Sequence, residues 1–163
     1  MRHDLPEIVA LIRKMGFDHI QINTSGIRIA LDGNFALALK EEGATTIFLQ
    51  FDGVSDDVYR RMRGADLFDL KIKAIERCAE LELGVILVPT LVKGVNDLQI
   101  GSILQFAKKW IPAVKGVHFQ PMTYCGRFPG HPENKDRIFI PDILLAIQEQ
   151  QGELKIENFI PPG

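Results

Sequence analysis

Residues 84–97, Gly-Val-Ile-Leu-Val-Pro-Thr-Leu-Val-Lys-Gly-Val-Asn-Asp, constrain the fold more than any other stretch of the chain. Val85, Ile86, Leu87 and Val88 make a β-branched, apolar run of strand length. Pro89 has no N–H to give a central ladder, which predicts that the strand ends there. A polar turn through Lys93, Gly94, Asn96 and Asp97 follows. Ile100, Ile103, Leu104 and Ala107 then recur at helical spacing up to Trp110, with Asn96 or Asp97 placed to cap the first turn. A strand that runs through a loop into a helix is the repeating unit of a parallel sheet. In such sheets ligands bind beyond the carboxyl ends of the strands, so the loop after Val88 is where function is sought first.

The same alternation of strand and helix runs along the whole chain. An amphipathic segment over 4–15, with Leu5, Ile8, Val9, Leu11 and Ile12 on one side, is closed by Gly16. Strands are expected at 19–24, 45–51, 84–88 and 116–120, and further helices at 34–42, 66–83, 98–110 and 141–151. Residues 121–132 are rich in Gly and Pro, and 154–157 read as a weak strand. Strands separated by helices pair in parallel through right-handed crossovers, which makes the class α/β.

Within the strands, Ile20 and Ile22 alternate with His19, Gln21 and Asn23. Likewise Ile47, Leu49 and Phe51 alternate with Phe48, Gln50 and Asp52, and Val117 and Phe119 with His118 and Gln120. A sheet covered by helices on both faces favours near-continuous apolar strands, whereas a curled sheet carries helices outside only and can line its inside with polar groups. The expected architecture is therefore a partial (β/α) barrel of about four parallel strands. Four strands cannot close a barrel, which leaves the strands at 19–24 and 116–120 as open edges.

The chain has 163 residues, 46% of them hydrophobic and 25% charged, enough for one domain with a real core. A net charge of -2 with no basic run argues against nucleic acid as a partner. No apolar run approaches the roughly 20 residues of a membrane span, so neither a membrane partner nor a membrane location is expected, and the chain reads as cytoplasmic. Two cysteines without metal-type spacing suit a reducing compartment. Cys78, beside Ala74, Ile75 and Leu81 on a helix, reads as core, while Cys125 in the Gly/Pro loop reads as a passive thiol or a reactive one. His3, His19, His118 and His131 are scattered, so no metal site is expected within the chain.

The strand ends place Asn23-Thr24-Ser25-Gly26, Gln50-Phe51-Asp52-Gly53, Thr90 with Lys93, Asn96 and Asp97, and Gln120 with Tyr124 and Arg127 on one rim. Inward polar side chains in a dry core would each cost about 1–3 kcal/mol unpaired, so a wet, ligand-holding interior is the consistent reading.

Gln-Phe-Asp-Gly with Tyr59 and Arg63-Gly64, then 88–97, then Gly-Val-His-Phe-Gln-Pro at 116–121 with Tyr124, Gly126 and Arg127, resembles the radical S-adenosylmethionine (SAM) enzymes over about residues 3–150. The similarity is greatest to the branch of archaeal-type pterin methylases and tetraether lipid synthases. Asn23-Thr24-Ser25-Gly26 is similar to that family's Asn-Thr-Asn-Gly. The family's Cys-x-x-x-Cys-x-x-Cys loop, which holds a [4Fe-4S] cluster, and its Gly-Gly-Glu-Pro motif are absent. The resemblance thus implies strands three to six of a six-stranded barrel over 1–153, a tail over 154–163, and a chain cut at both ends.

The resemblance also implies a radical SAM oxidoreductase that cleaves SAM reductively and abstracts hydrogen from an unknown small-molecule substrate. SAM and [4Fe-4S] are expected in the complete protein and neither on this chain alone, which would be inactive by itself. Cofactor-side residues would be Asn23, Thr24, Gln50, Asp52, Val88, Pro89, Thr90, Gln120 and Pro121, with His118, Tyr124 and Arg127 on the substrate side. Two other readings remain open from the residues: a non-catalytic α/β module binding a small molecule or partner, and a Schiff-base barrel enzyme using Lys93. Bare strand edges lead to a further expectation, self-association or a carboxyl-terminal segment covering one edge.

Overall fold

The computed structural model describes residues 2–125 and 133–160. In chain order its elements are α1 (Leu5–Lys14), β1 (Gln21–Thr24), α2 (Ile27–Leu31), α3 (Gly33–Glu41), β2 (Thr46–Gln50), α4 (Asp56–Arg63) and α5 (Phe68–Glu80). There follow β3 (Gly84–Val88), β4 (Thr90–Leu91), α6 (Ile100–Lys109), β5 (Val114–Val117), β6 (Gln120–Pro121) and α7 (Ile140–Gln151). Strands β1, β2, β3 and β5 form one parallel sheet in that order, the α/β partial barrel expected from the alternation.

The two-residue period of the strands decides where the core sits. Ile22, Ile47, Leu49, Val85, Leu87 and Val114 point to one face and are buried against Val9 of α1, Ile29 of α2, Phe35 and Leu39 of α3, Ala74 and Ile75 of α5, and Ile103 of α6. Val117 and Phe119 lean on the same cluster, half-buried. On the opposite face Gln21, Asn23, His118 and Gln120 are exposed, and Phe48, Gln50, Ile86 and Val88 are half-buried. A second cluster of Leu91, Ile100, Ile138, Ile143 and Ile147 docks α7 beside α6.

Several boundaries differ from the sequence reading, each for a local reason. The strand ends at Val88 as expected, but a second, two-stranded ladder begins immediately past Pro89. The Pro89 carbonyl still accepts from Gln120 N at 2.9 Å, and pairing resumes as β4 with β6, so the loss is one donor. The fourth strand starts at Val114, two residues early, and pauses at His118 before resuming at Gln120. Helix α4, unforeseen, opens with Asp56 and Asp57 and closes with Arg60, Arg61 and Arg63 before Gly64 at φ 75°, charges that complement the helix dipole. The stretch read as a weak strand at 154–157 instead forms a 3-10 turn at Ile156–Asn158, with Leu154 packed on the α7 cluster, and adds no strand to either sheet edge.

Candidate functional site

The carboxyl ends of β1, β2, β3 and the start of β4 and β6 surround a cavity of about 320 Å³, lined by Asn23, Thr24, Ser25, Phe48, Gln50, Val88, Thr90 and Gln120. That size is at the small end of ligand pockets, which span roughly 300–1,000 Å³. Phe48 and Val88 give it an apolar wall. Asn23, Thr24, Gln50, Thr90 and Gln120 supply polar groups around it. A larger hollow of about 600 Å³ lies among the outer helices, between Phe106 of α6 and Gln150 of α7, away from the convergent polar groups.

Beneath the rim sits Asp52, fully buried. Arg63 clasps its carboxylate from two nitrogens, Nε to Oδ2 at 2.8 Å and Nη2 to Oδ1 at 3.1 Å. Gln50 Nε2 also donates to Oδ2, and the backbone N–H of Thr90 points to Oδ1 at 3.4 Å. A bidentate guanidinium is the partner a buried carboxylate needs, because an uncompensated charge there would cost several kcal/mol. Asp52, before α4, and Arg63, its last residue, are thus joined as an ion pair.

Asn96 is the second hidden brace. Also fully buried, it donates from Nδ2 to Asp52 O (2.7 Å) and Thr90 O (2.8 Å), and accepts from Val92 N at 2.8 Å. Its side chain makes no capping bond to the 3-10 turn that follows, contrary to the capping role read from its position. Instead it ties the turn after β2 to the strand after Pro89. Asp97, the other candidate cap, accepts from Gly94 N at 2.9 Å within the loop.

Lys71, on the buried face of α5, donates from Nζ to Ser25 O at 2.5 Å and lies 5.7 Å from the Tyr59 ring centroid. Burial lowers its pKa to about 8, with Asp52 opposing and Arg63 adding to the fall. The Tyr59 hydroxyl donates to Gly53 O at 3.1 Å, and burial, then Asp52, raises its pKa above the usual phenol range. Lys71 fixes the Thr24-Ser25-Gly26 turn from below, and Gly26, at φ 80°, presses so near Leu49 and Ala74 that a Cβ there has no room.

Six of the expected cofactor-side residues therefore share one cavity: Asn23, Thr24, Gln50, Val88, Thr90 and Gln120. Asp52 lies behind them. Pro89 is buried and Pro121 half-buried in the strand backbones, neither lining the cavity. His118, expected on the substrate side, is exposed with its ring 5.6 Å from that of Phe48. Tyr124 donates to Asp136 O at 3.0 Å with Arg137 over its ring. Arg127 lies outside the described residues. Lys93 is exposed and does not line the cavity. Cys78 is buried, its thiol pushed up to about 12 by burial, as a core cysteine should be. Lys71 was missed, and Asn96 was read as a cap and rim residue rather than as a buried brace. For Lys71 a signal was present, since 71, 74, 75 and 78 fall on one helical face with Ala74, Ile75 and Cys78.

Similar proteins bear on this geometry. The chain is 43% identical over 163 residues to a 7,8-dihydro-6-hydroxymethylpterin dimethyltransferase of Methanocaldococcus jannaschii, covering 99% of this chain and 32% of that protein. It is 34% identical over 131 residues to an Fe-coproporphyrin III synthase of Methanosarcina barkeri, covering 78% of this chain and 30% of that one. To a probable GTP 3',8-cyclase of Pyrococcus abyssi it is 30% identical over 109 residues, 67% of this chain and 34% of the other. The chain thus spans about a third of the length of these relatives. Among the described residues no helix is long and apolar enough to cross a membrane. With residues 1–107 matching the family's own pattern and the cavity set at the strand ends where the alternation put it, the chain belongs to the radical SAM superfamily.

Proposed function

We propose that residues 1–163 form the cofactor-cradling part of a radical SAM enzyme, with the adenosyl group of SAM held in the cavity at the carboxyl ends of the strands. The convergence of Asn23, Thr24, Gln50, Val88, Thr90 and Gln120 on that one cavity carries the reading. Phe48 and Val88 offer a flat apolar wall for a purine, and the surrounding amides and hydroxyls suit a ribose and a polar tail. SAM, when bound in such enzymes, supplies the sulfonium-linked adenosyl group whose cleavage starts the reaction. This chain's share is to bind that group, orient it and keep water from it.

A [4Fe-4S] cluster does not fit these residues. It needs three thiolates, whereas the chain has Cys78 in the outer core and Cys125 at the surface. Among the described residues no group of three His, Cys, Asp or Glu could hold a metal. The thiolates would come from polypeptide beyond these residues, and the chain alone would be inactive. The relatives' names refer to a pterin, GTP and coproporphyrin, which supports a small ring-bearing substrate entering past His118 and Tyr124.

Isothermal titration of the chain with SAM tests the reading. Saturable one-to-one binding with a dissociation constant below about 1 mM is expected. Val88→Asp, which sets a charge on the apolar wall, should weaken it at least about tenfold. No binding at that concentration, or the same affinity in Val88→Asp, would overturn the assignment.

A further inference from the structure

We infer that Lys71 is a positioning residue for the cavity and that its proton works as a switch: charged, it holds the Ser25 turn in the form that receives a ligand, and neutral, it lets that turn loosen. Ser25 lines the cavity at the end of β1, and its carbonyl accepts from Lys71 Nζ. Among the described residues no other donor reaches Ser25 O. The next peptide is constrained as well. Gly26 N donates to Thr24 Oγ1 at 3.0 Å, and Gly26 stands at φ 80° with Leu49 and Ala74 against it. Lys71 is therefore the one part of this turn's support that a proton can change.

An ammonium carries three N–H donors, and this one has a single acceptor. Lys71 is fully buried and, among the described residues, joins no ion pair, because the neighbouring carboxylate of Asp52 is clasped by Arg63. A charge buried on one hydrogen bond favours its neutral form, which agrees with a pKa lowered to about 8. The groups around it leave that balance in place. From α4 come Tyr59, its ring under the ammonium, Arg63, which repels it, and Asp56, which accepts from Leu67 N and Phe68 N. From α2 comes Arg28, turned toward Asp32 and the Phe35 ring, and from α3 come Lys40, engaged at Glu82 O, and Glu41, exposed. Cys78 shares the buried face of α5 and keeps its proton well past pH 8. The neutral amine still donates to Ser25 O, but a charge-assisted bond, roughly twice as strong, is gone.

The inference rests on the cofactor reading above for its probe, adenosine, which has no group that titrates between about pH 7 and pH 9.5, whereas SAM has an amino group that does. In the 163-residue chain adenosine should bind about fivefold more weakly at pH 9.5 than at pH 7, with a midpoint near pH 8. Lys71→Met, which fills the same space without a charge, should bind at the weak level of the wild type at every pH. Lys73→Met, at an exposed lysine on the same helix, should keep the wild-type profile. A second measurement needs no ligand. Gly26 shares its peptide group with the Ser25 carbonyl, so its amide nitrogen resonance should titrate near pH 8 and lose that titration in Lys71→Met. With adenosine bound, the midpoint should rise by about 0.7 pH unit, the same fivefold seen from the side of the proton. A flat wild-type binding profile, a profile that persists in Lys71→Met, or a Gly26 resonance indifferent to pH would each overturn the inference. Absence of adenosine binding beside a Lys71-dependent Gly26 titration would leave the proton's hold on the turn standing and remove the cofactor assignment.

Discussion

Lys71, Tyr59 and Cys78 are buried titratable groups whose protons pull stability in opposite directions as pH rises, and together they fix the shape of an alkaline stability curve. Lys71 loses its proton near pH 8 when folded and near its ordinary 10.5 when unfolded. Between those values the unfolded state binds one more proton, so stability rises with pH by at most about 1.4 kcal/mol per unit. Cys78 acts the other way. Its thiol ionises near 9.0 when unfolded and near 12 when folded, so stability falls above pH 9. Tyr59, raised from 10.0, adds a second fall above pH 10. Summed, stability should climb from pH 8 to pH 9 by less than about 1 kcal/mol, level off toward pH 10 and then drop. Urea unfolding read by the fluorescence of Trp110, the single tryptophan, measures this directly. Lys71→Met removes the rising limb and leaves a curve that falls over the same unit. A wild-type curve flat or falling from pH 8 to 9, or the same rise in Lys71→Met, would refute the burial argument for Lys71.

Three further outcomes are expected. Arg63→Met should lower stability by about 2–3 kcal/mol in urea, less than the full cost of orphaning a buried charge because the guanidinium is about a third exposed, whereas Arg60→Met at the exposed pair with Asp66 should change it by less than about 1 kcal/mol. Asn96→Leu removes four hydrogen bonds from a buried site, the weakest to Met62 Sδ, and should cost about 3 kcal/mol and weaken SAM binding together; unchanged binding would separate the brace from the cavity. Among the described residues β1 has no neighbour on its outer edge, which should drive self-association at micromolar concentration by sedimentation, with slow hydrogen exchange over 21–23; a strict monomer whose edge amides exchange freely would show the edge to be tolerated.

What could be read from the sequence was periodic. Alternation at Ile20–Asn23, Ile47–Gln50 and Val117–Gln120 named the helix-covered face and the open one correctly, because a period of two leaves no choice once one face is buried. What escaped was tertiary bonding by residues with more than one local use. Asn96 looks like a helix cap from its neighbours, and only the approach of the turn after β2 turns it into a brace between strands. Asp52 alternates with the inward residues, yet Arg63, reached only by folding α4, draws it into the interior. Helix α4 itself was hidden because Val58 and Tyr59 are its only buried residues, too few to make a periodic stripe. Pro89 ended β3 as its missing N–H foretold, while the carbonyl that leads into the β4–β6 ladder left no mark in the sequence.

The two buried braces also limit how this scaffold can be remodelled. Asp52 belongs to the turn after β2 but is held by Arg63 at the end of α4 and by the backbone at Thr90. Asn96 belongs to the loop before α6 but grips Asp52 O and Thr90 O. Each loop carries the partner that its neighbour needs. Grafting one loop from another barrel would strand a carboxylate or an amide in the interior, whereas exchanging 50–63 and 88–97 as a matched pair would keep every partner in place. The two loops behave as one bonded unit of the rim, and a library that shuffles them singly would lose members to unfolding before their chemistry could be screened.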